Sequence, residues 1–226
     1  MKAVIFDLDD TLILERDYVF SGYRAVAKYL YSAAGIDEER VCSVLKTEFE
    51  SSAQNVFNRM YERLGISYDE EDIRRLVRVY REHEPDISFC ADVLPALGEL
   101  KAEGFSLGVL TDDYLVTQKN KAAAVELDRY FEAIVYTDEL GREYWKPSIK
   151  GFEVLSGKLD IPMDSFIYVG DNPKKDFEIM KNSPIKTVRI VREGGVYASA
   201  PYGGECRENK RISSLKELKT VAGELF

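Results

Sequence analysis

Hydrophobic and polar positions along this chain follow two rhythms, and the change from one to the other divides it. A short apolar run, Ala3-Val4-Ile5-Phe6, ends in Asp7-Leu8-Asp9-Asp10-Thr11-Leu12, which predicts a buried strand with acids at its carboxyl end. From Leu14 to about Phe89 the spacing is helical. Phe20, Tyr23, Val26, Ala27 and Leu30 recur every three or four residues, followed by Val41, Val44 and Leu45, then Val56, Phe57, Met60, Tyr61 and Leu64, then Ile73, Leu76, Val77 and Tyr80. Four amphipathic helices are expected, with breaks at Gly35, Gly65 and Pro85 and with Asp37 and Asp69 as N-caps.

From about Ala91 the pattern alternates. A helix through Leu94, Leu97 and Leu100 runs to Gly104, and Phe105 to Thr111 reads as a strand. A helix from about Tyr114 to Leu127 leads to a strand at Ala133 to Tyr136. A helix opens after Pro147, Phe166 to Val169 is a strand, another helix opens at Pro173, and Lys186 to Val191 is the last clear strand. Residues 193–211, with Gly194-Gly195, Pro201 and Gly203-Gly204, read as loop before a short helix from about Ser214. Strands alternating with helices predict an α/β fold: a Rossmann-like parallel sheet with helices on both faces and an inserted all-helical domain. Residues 1–14 and 90–226 form the expected core, and 15–89 the insertion.

Composition narrows the function. With 226 residues, 45% of them hydrophobic, the chain can bury a full core and a smaller second lobe. A formal net charge of −9 argues against general affinity for nucleic acid or an anionic membrane, because both need a basic face. Cys42, Cys90 and Cys206 lie far apart with no metal-ligand spacing, which suits a reduced cytoplasmic protein, and no apolar run approaches membrane-spanning length. The single histidine, His83, precludes a zinc site with several imidazoles and reads as the end of a helix before Pro85. Proton transfer therefore falls mainly to carboxylates.

Four clusters fall at strand ends or helix starts: Asp7-Leu8-Asp9, Thr111-Asp112-Asp113, Lys146-Pro147, and Gly170-Asp171-Asn172-Pro173-Lys174-Lys175-Asp176. Singly, each is an ordinary acid, cap, helix start or turn. In a parallel sheet all four converge on the carboxyl edge, where ligands bind. A carboxylate can attack phosphorus only if cations neutralise the approach of two anions. A lysine and Mg2+ answer that need, Mg2+ taking hard oxygen ligands, and Asp7 and Asp171 fit as its ligands.

These clusters, in this order and with a helical insertion after the first, resemble the four motifs of the haloacid dehalogenase superfamily over nearly the whole chain. The resemblance implies a Mg2+-dependent phosphohydrolase with a helical cap. Asp7 is then nucleophile and metal ligand. Asp9 is the general acid and base, with its carbonyl on the metal. Asp171 ligates the metal, and Asp176 ligates it or orients a bound water. Thr111 binds the transferring phosphoryl group, and Lys146 neutralises Asp7 and phosphate. Relatives that are dehalogenases lack the second acid, so Asp9 favours phosphate ester chemistry.

One departure stands out: Thr111 is followed by Asp112 and Asp113 where relatives often carry asparagine, which adds negative charge beside an anionic substrate. Asp113 is a candidate helix cap. Arg16, near the join to the insertion, is a candidate contact for substrate or an ordinary surface charge. The expected substrate is a small phosphorylated metabolite, with a sugar phosphate, a phosphoglycolate-like acid and a nucleoside monophosphate all open. Other readings of the same residues are a sugar-phosphate mutase, a catalytically weak binding or regulatory protein, and a receiver-type signalling protein. Oligomeric state is not legible in the sequence.

Overall fold

The computed structural model describes residues 1–226. In chain order the first elements are β1 (Lys2–Phe6), α1 (Glu15–Ala34), α2 (Glu38–Ser51), α3 (Val56–Leu64) and α4 (Glu70–Glu82). There follow α5 (Val93–Ala102), β2 (Phe105–Thr111), α6 (Leu115–Ala124), β3 (Ala133–Tyr136), α7 (Lys150–Leu159), β4 (Phe166–Gly170), β5 (Lys186–Ile190), β6 (Lys210–Ile212) and α8 (Leu218–Leu225). Two compact units result, Met1–Arg16 with Ile87–Phe226, and Asp17–Asp86. No helix is long and apolar enough to cross a membrane.

The first unit is a six-stranded sheet in the order β3-β2-β1-β4-β5-β6, every pairing parallel. β1 is apolar throughout because it lies in the middle and is covered on both sides. Val4 and Phe6 pack with α5, α6 and α8, whereas Ala3 and Ile5 pack with Phe152 and Leu155 of α7. The chain proceeds from β1 outward through β2 and β3, then crosses to β4 on the other side of β1. This reversal opens a crevice at the carboxyl ends of β1 and β4, the place where open α/β sheets bind ligands.

Three local expectations fail. No α-helix opens at Pro173: Asn172 Oδ1 accepts the Lys174 N–H at 3.0 Å, and the Asn172 carbonyl accepts from Asp176 N at 3.0 Å, so a tight turn leads to a 3-10 turn at Glu178–Lys181. The segment 193–211 is also not all loop, since β6 pairs with β5 and Ile190 lies opposite Ile212. Only Ile212 of this strand is buried, and an edge strand of Lys-Arg-Ile shows no apolar run to read. The helix expected from Tyr114 to Leu127 stops at Ala124, with Glu126 at φ 51° and a 3-10 turn at Leu127–Arg129.

The second unit has the four helices and the caps that its periodicity predicts. Asp37 accepts from Arg40 N at 2.8 Å, and Asp69 exchanges side-chain bonds with Asp72 in a capping box. Tyr23, Val26, Leu45, Met60 and Leu76 share one core. Gly22 permits the close approach of α1 and α4, because a Cβ there would stand 2.4 Å from the Tyr80 ring. His83 caps α4: its Nδ1 donates to the Tyr80 carbonyl at 2.6 Å and its Nε2 lies 3.2 Å from Ser21 Oγ. That is a structural role.

Candidate active site

The backbone of β1 delivers Asp7. Its N–H donates to the Val169 carbonyl at 2.8 Å, continuing the pairing with β4, and its Oδ1 accepts the Leu8 N–H at 2.9 Å. Its other oxygen is 2.9 Å from Lys146 Nζ. Lys146 has no exposed side-chain surface; its ammonium also lies 3.2 Å from Asp176 Oδ1 and donates to the Tyr168 hydroxyl at 2.6 Å. The Tyr168 hydroxyl donates to Asp176 Oδ1 at 3.2 Å, and Asp176 Oδ2 accepts the Asn172 N–H at 2.9 Å. Asp176 folds back over Gly170, where a Cβ would stand 2.5 Å from its carboxylate. Burial would strip Lys146 of its proton, but Asp176 and Asp7 outweigh that and keep it an ammonium.

Asp7, Asp171 and Asp176 are all buried, and each offers an oxygen within 4.8 Å of the other two. Burial raises Asp7 to about 6, Lys146 opposing and Asp176 adding to the rise. Asp171 is pushed well above the usual carboxylate range by burial, then by Asp176 and Asp7. This crowding of buried carboxylates exceeds what Lys146 neutralises. An all-oxygen, negatively charged donor set of this kind suits a hard divalent cation such as Mg2+.

Asp9 is half-buried and accepts Lys121 Nζ at 2.7 Å on one oxygen and Gln118 Nε2 at 2.8 Å on the other. Asp10, at φ 49°, holds two loops together by accepting the Glu15 N–H at 2.9 Å and the Val196 N–H at 2.7 Å. Thr111 is buried at the end of β2, and its hydroxyl donates weakly to the Asp112 carbonyl at 3.4 Å.

The extra charge expected from Asp112 does not face substrate unpaired. Asp112 accepts Lys175 Nζ at 2.5 Å, Thr137 Oγ1 at 2.8 Å and the Lys146 N–H at 3.2 Å. Burial would raise its carboxyl, but Lys146 and Lys175 together hold it below the usual carboxylate range. Asp113 accepts the Tyr114 N–H at 2.7 Å, while Asp138 accepts the Leu115 N–H of α6 at 3.0 Å.

These groups surround a cavity of about 190 Å³ with walls that include Asp7, Asp9, Glu15, Asp171, Trp145 and Tyr197. Arg16 is exposed and does not line it. Sequence reasoning passed over Glu15, Trp145, Tyr197, Gln118, Lys121 and the role of Lys175. Lys175 lies inside the fourth cluster and was the one legible from it. Lys121 reads as an ordinary solvent-facing helix lysine, and its burial comes from tertiary packing.

The fold and the site define a class: the chain belongs to the haloacid dehalogenase-like hydrolases, whose family model matches residues 4–190. It is a phosphatase-type member. It is 27% identical to the glyceraldehyde 3-phosphate phosphatase of Methanopyrus kandleri over 234 residues, covering 100% of this chain and 98% of that protein. It is 23% identical to the pyrophosphatase PpaX of Bacillus mycoides over 207 residues, covering 88% and 89% of the two chains. The crystal structure of a phosphatase of this superfamily from Thermococcus onnurineus superposes with a TM-score of 0.63 at 22% identity, covering 99% of this chain and 98% of that one.

Proposed function

We propose that the protein is a Mg2+-dependent phosphatase of a small phosphorylated metabolite, working through an aspartyl phosphate on Asp7. The observation that carries this reading is the setting of Asp7, a buried carboxylate held by Lys146 and grouped with Asp171 and Asp176. In the first step Asp7 attacks phosphorus, and the leaving alcohol takes a proton from Asp9. In the second, Asp9 removes a proton from water, which attacks the acyl phosphate, releases inorganic phosphate and restores Asp7. Lys146 offsets charge on Asp7 and phosphate, and Thr111 binds the transferring group. Asp7, Asp171, Asp176 and the Asp9 carbonyl would hold the metal, which when bound supplies positive charge against carboxylates and phosphate. Residues 15–89 act as the helical cap, and a cytoplasmic setting accompanies this reading.

The relatives named for glyceraldehyde 3-phosphate and for pyrophosphate support a small substrate. The cavity, about 190 Å³, also falls below the roughly 300–1,000 Å³ usual for larger ligands. The test is phosphate release from a panel of sugar phosphates, triose phosphates, nucleoside monophosphates, pyrophosphate and an aryl phosphate, with and without Mg2+. Metal-dependent release lost in Asp7→Asn is the expected result. Release indifferent to Asp7 would sink the mechanism.

A further inference from the structure

The phosphatase reading leaves one carboxylate of the cavity without a task. Glu15 is not a metal ligand and forms no salt bridge, although the Lys121 ammonium, which is paired with Asp9, also draws its carboxyl down, and it forms part of the wall together with Asp9. Its backbone is anchored, because the Glu15 N–H donates to Asp10 Oδ1 at 2.9 Å. Glu15 and Asp9 share one wall of the cavity, and burial, with the negative charge of Asp9 adding to it, pushes the Glu15 carboxyl up to about 7.

The cations of the site are committed elsewhere. Lys146 serves Asp7 and Asp176, Lys175 lies 2.5 Å from Asp112, and Lys121 lies 2.7 Å from Asp9. Arg142 stacks over Tyr114 and Trp145, and Lys174 over Tyr197; both are exposed and neither lines the cavity. A leaving group therefore meets Glu15 and Asp9 in a wall whose one lysine, Lys175, is already paired with Asp112.

We propose that Glu15 sets the substrate class: its carboxylate admits phosphate esters of uncharged alcohols bearing hydroxyl or carbonyl groups and rejects esters whose alcohol carries a carboxylate. This rests on the phosphatase reading. It removes phosphoglycolate-like acids from the substrates that the sequence leaves open and keeps triose and sugar phosphates. Two like charges several ångströms apart in a partly buried site repel enough to cost about 10- to 100-fold in kcat/KM.

The test compares glyceraldehyde 3-phosphate, glycerol 3-phosphate and 3-phosphoglycerate, which share one carbon skeleton and differ in the terminal group. At a pH well above 7, on the alkaline side of the raised Glu15 carboxyl, the two uncharged alcohols should exceed the acid by at least about tenfold in kcat/KM. Glu15→Gln and Glu15→Ser should each narrow that ratio to within about threefold, chiefly by improving the acid. A wild-type ratio near unity, or a ratio that survives in either variant, overturns the proposal. Turnover of an aryl phosphate that depends on Asp7, without this ratio, sinks the Glu15 assignment alone. No turnover of any ester by the wild type sinks the phosphatase reading and this inference with it.

Discussion

Lys175 places its ammonium 2.5 Å from Asp112 Oδ2, so the acid that departs from the usual second motif is matched by a lysine of the fourth. Asp112 also accepts from Thr137 Oγ1 and the Lys146 N–H, which ties the loop carrying Lys146 to the end of β2. Asp112→Asn keeps an acceptor for those two donors but turns a neutral amide toward Lys175. It should cost about 1–3 kcal/mol in urea unfolding, and Asp112→Ala, which strands all three donors, should cost more. Equal stability of both variants and wild type would contradict this role.

Metal should stabilise the protein. Three buried carboxylates within 4.8 Å repel one another until a cation joins them. Saturating Mg2+ at about 100 times its dissociation constant would add about 2.7 kcal/mol and raise the thermal midpoint. Asp171→Asn should lose most of this shift, and its metal-free form should melt no lower than the metal-free wild type, because one repelling charge is gone. Thermal melts with Mg2+ and with a chelator provide the check.

Replacing Lys146 by methionine should be costly in two separate ways. The variant leaves Asp7 and Asp176 without their shared ammonium and removes the donor to the Tyr168 hydroxyl. Loss of one partner from a buried pair costs about 3–5 kcal/mol, to be read from denaturant unfolding in a chelator. Turnover should also fall by about 100-fold or more, with the effect in kcat.

Within the helical unit, Glu48 binds Arg63 at 2.6 Å and Arg59 at 2.8 Å, and the hydrogen bonds from Arg63 and then Arg59 hold its carboxyl below the ordinary 4.5. A lowered carboxyl contributes stability that is present above pH 4.5 and is lost as pH falls through the folded value. Glu48→Gln should therefore melt below wild type at neutral pH, with the gap closing under acid conditions. A gap that stays constant as the pH falls would exclude the ion pairs as its source.

Asp10 tethers the glycine-rich segment at Val196, next to Tyr197 in the cavity wall. Asp10→Ala loses both backbone bonds and places alanine at φ 49°, so it should cost about 1–3 kcal/mol and speed amide exchange at residues 193–198. Asp10→Gly loses the same bonds while relieving the backbone, and should fall between Ala and wild type in stability.

Much of this architecture was written in residue patterns. The apolar run before Asp7, the strand from Phe105 to Thr111 and the caps at Asp37 and Asp69 follow from local periodicity and hydrogen-bonding chemistry, which act over a few residues. The order of the four clusters likewise made their meeting at one sheet edge predictable. Local signals failed where pairing or packing from afar decides the outcome. β6 is a strand because β5 offers it an edge, and its own sequence is mostly charged. The turn at Pro173 replaces a helix because Asn172 and Asp176 satisfy its backbone groups first. Packing buries Lys121, and Asp9 at 2.7 Å keeps it charged there, while Asp112 is neutralised because Lys175 returns to it across 63 residues. The sequence by itself determined the sheet, the helical insertion and the acids that meet at the strand ends. The tertiary structure decided which charges are paired and which, like Glu15, face the cavity, because electrostatic pairing depends on distances that folding alone creates.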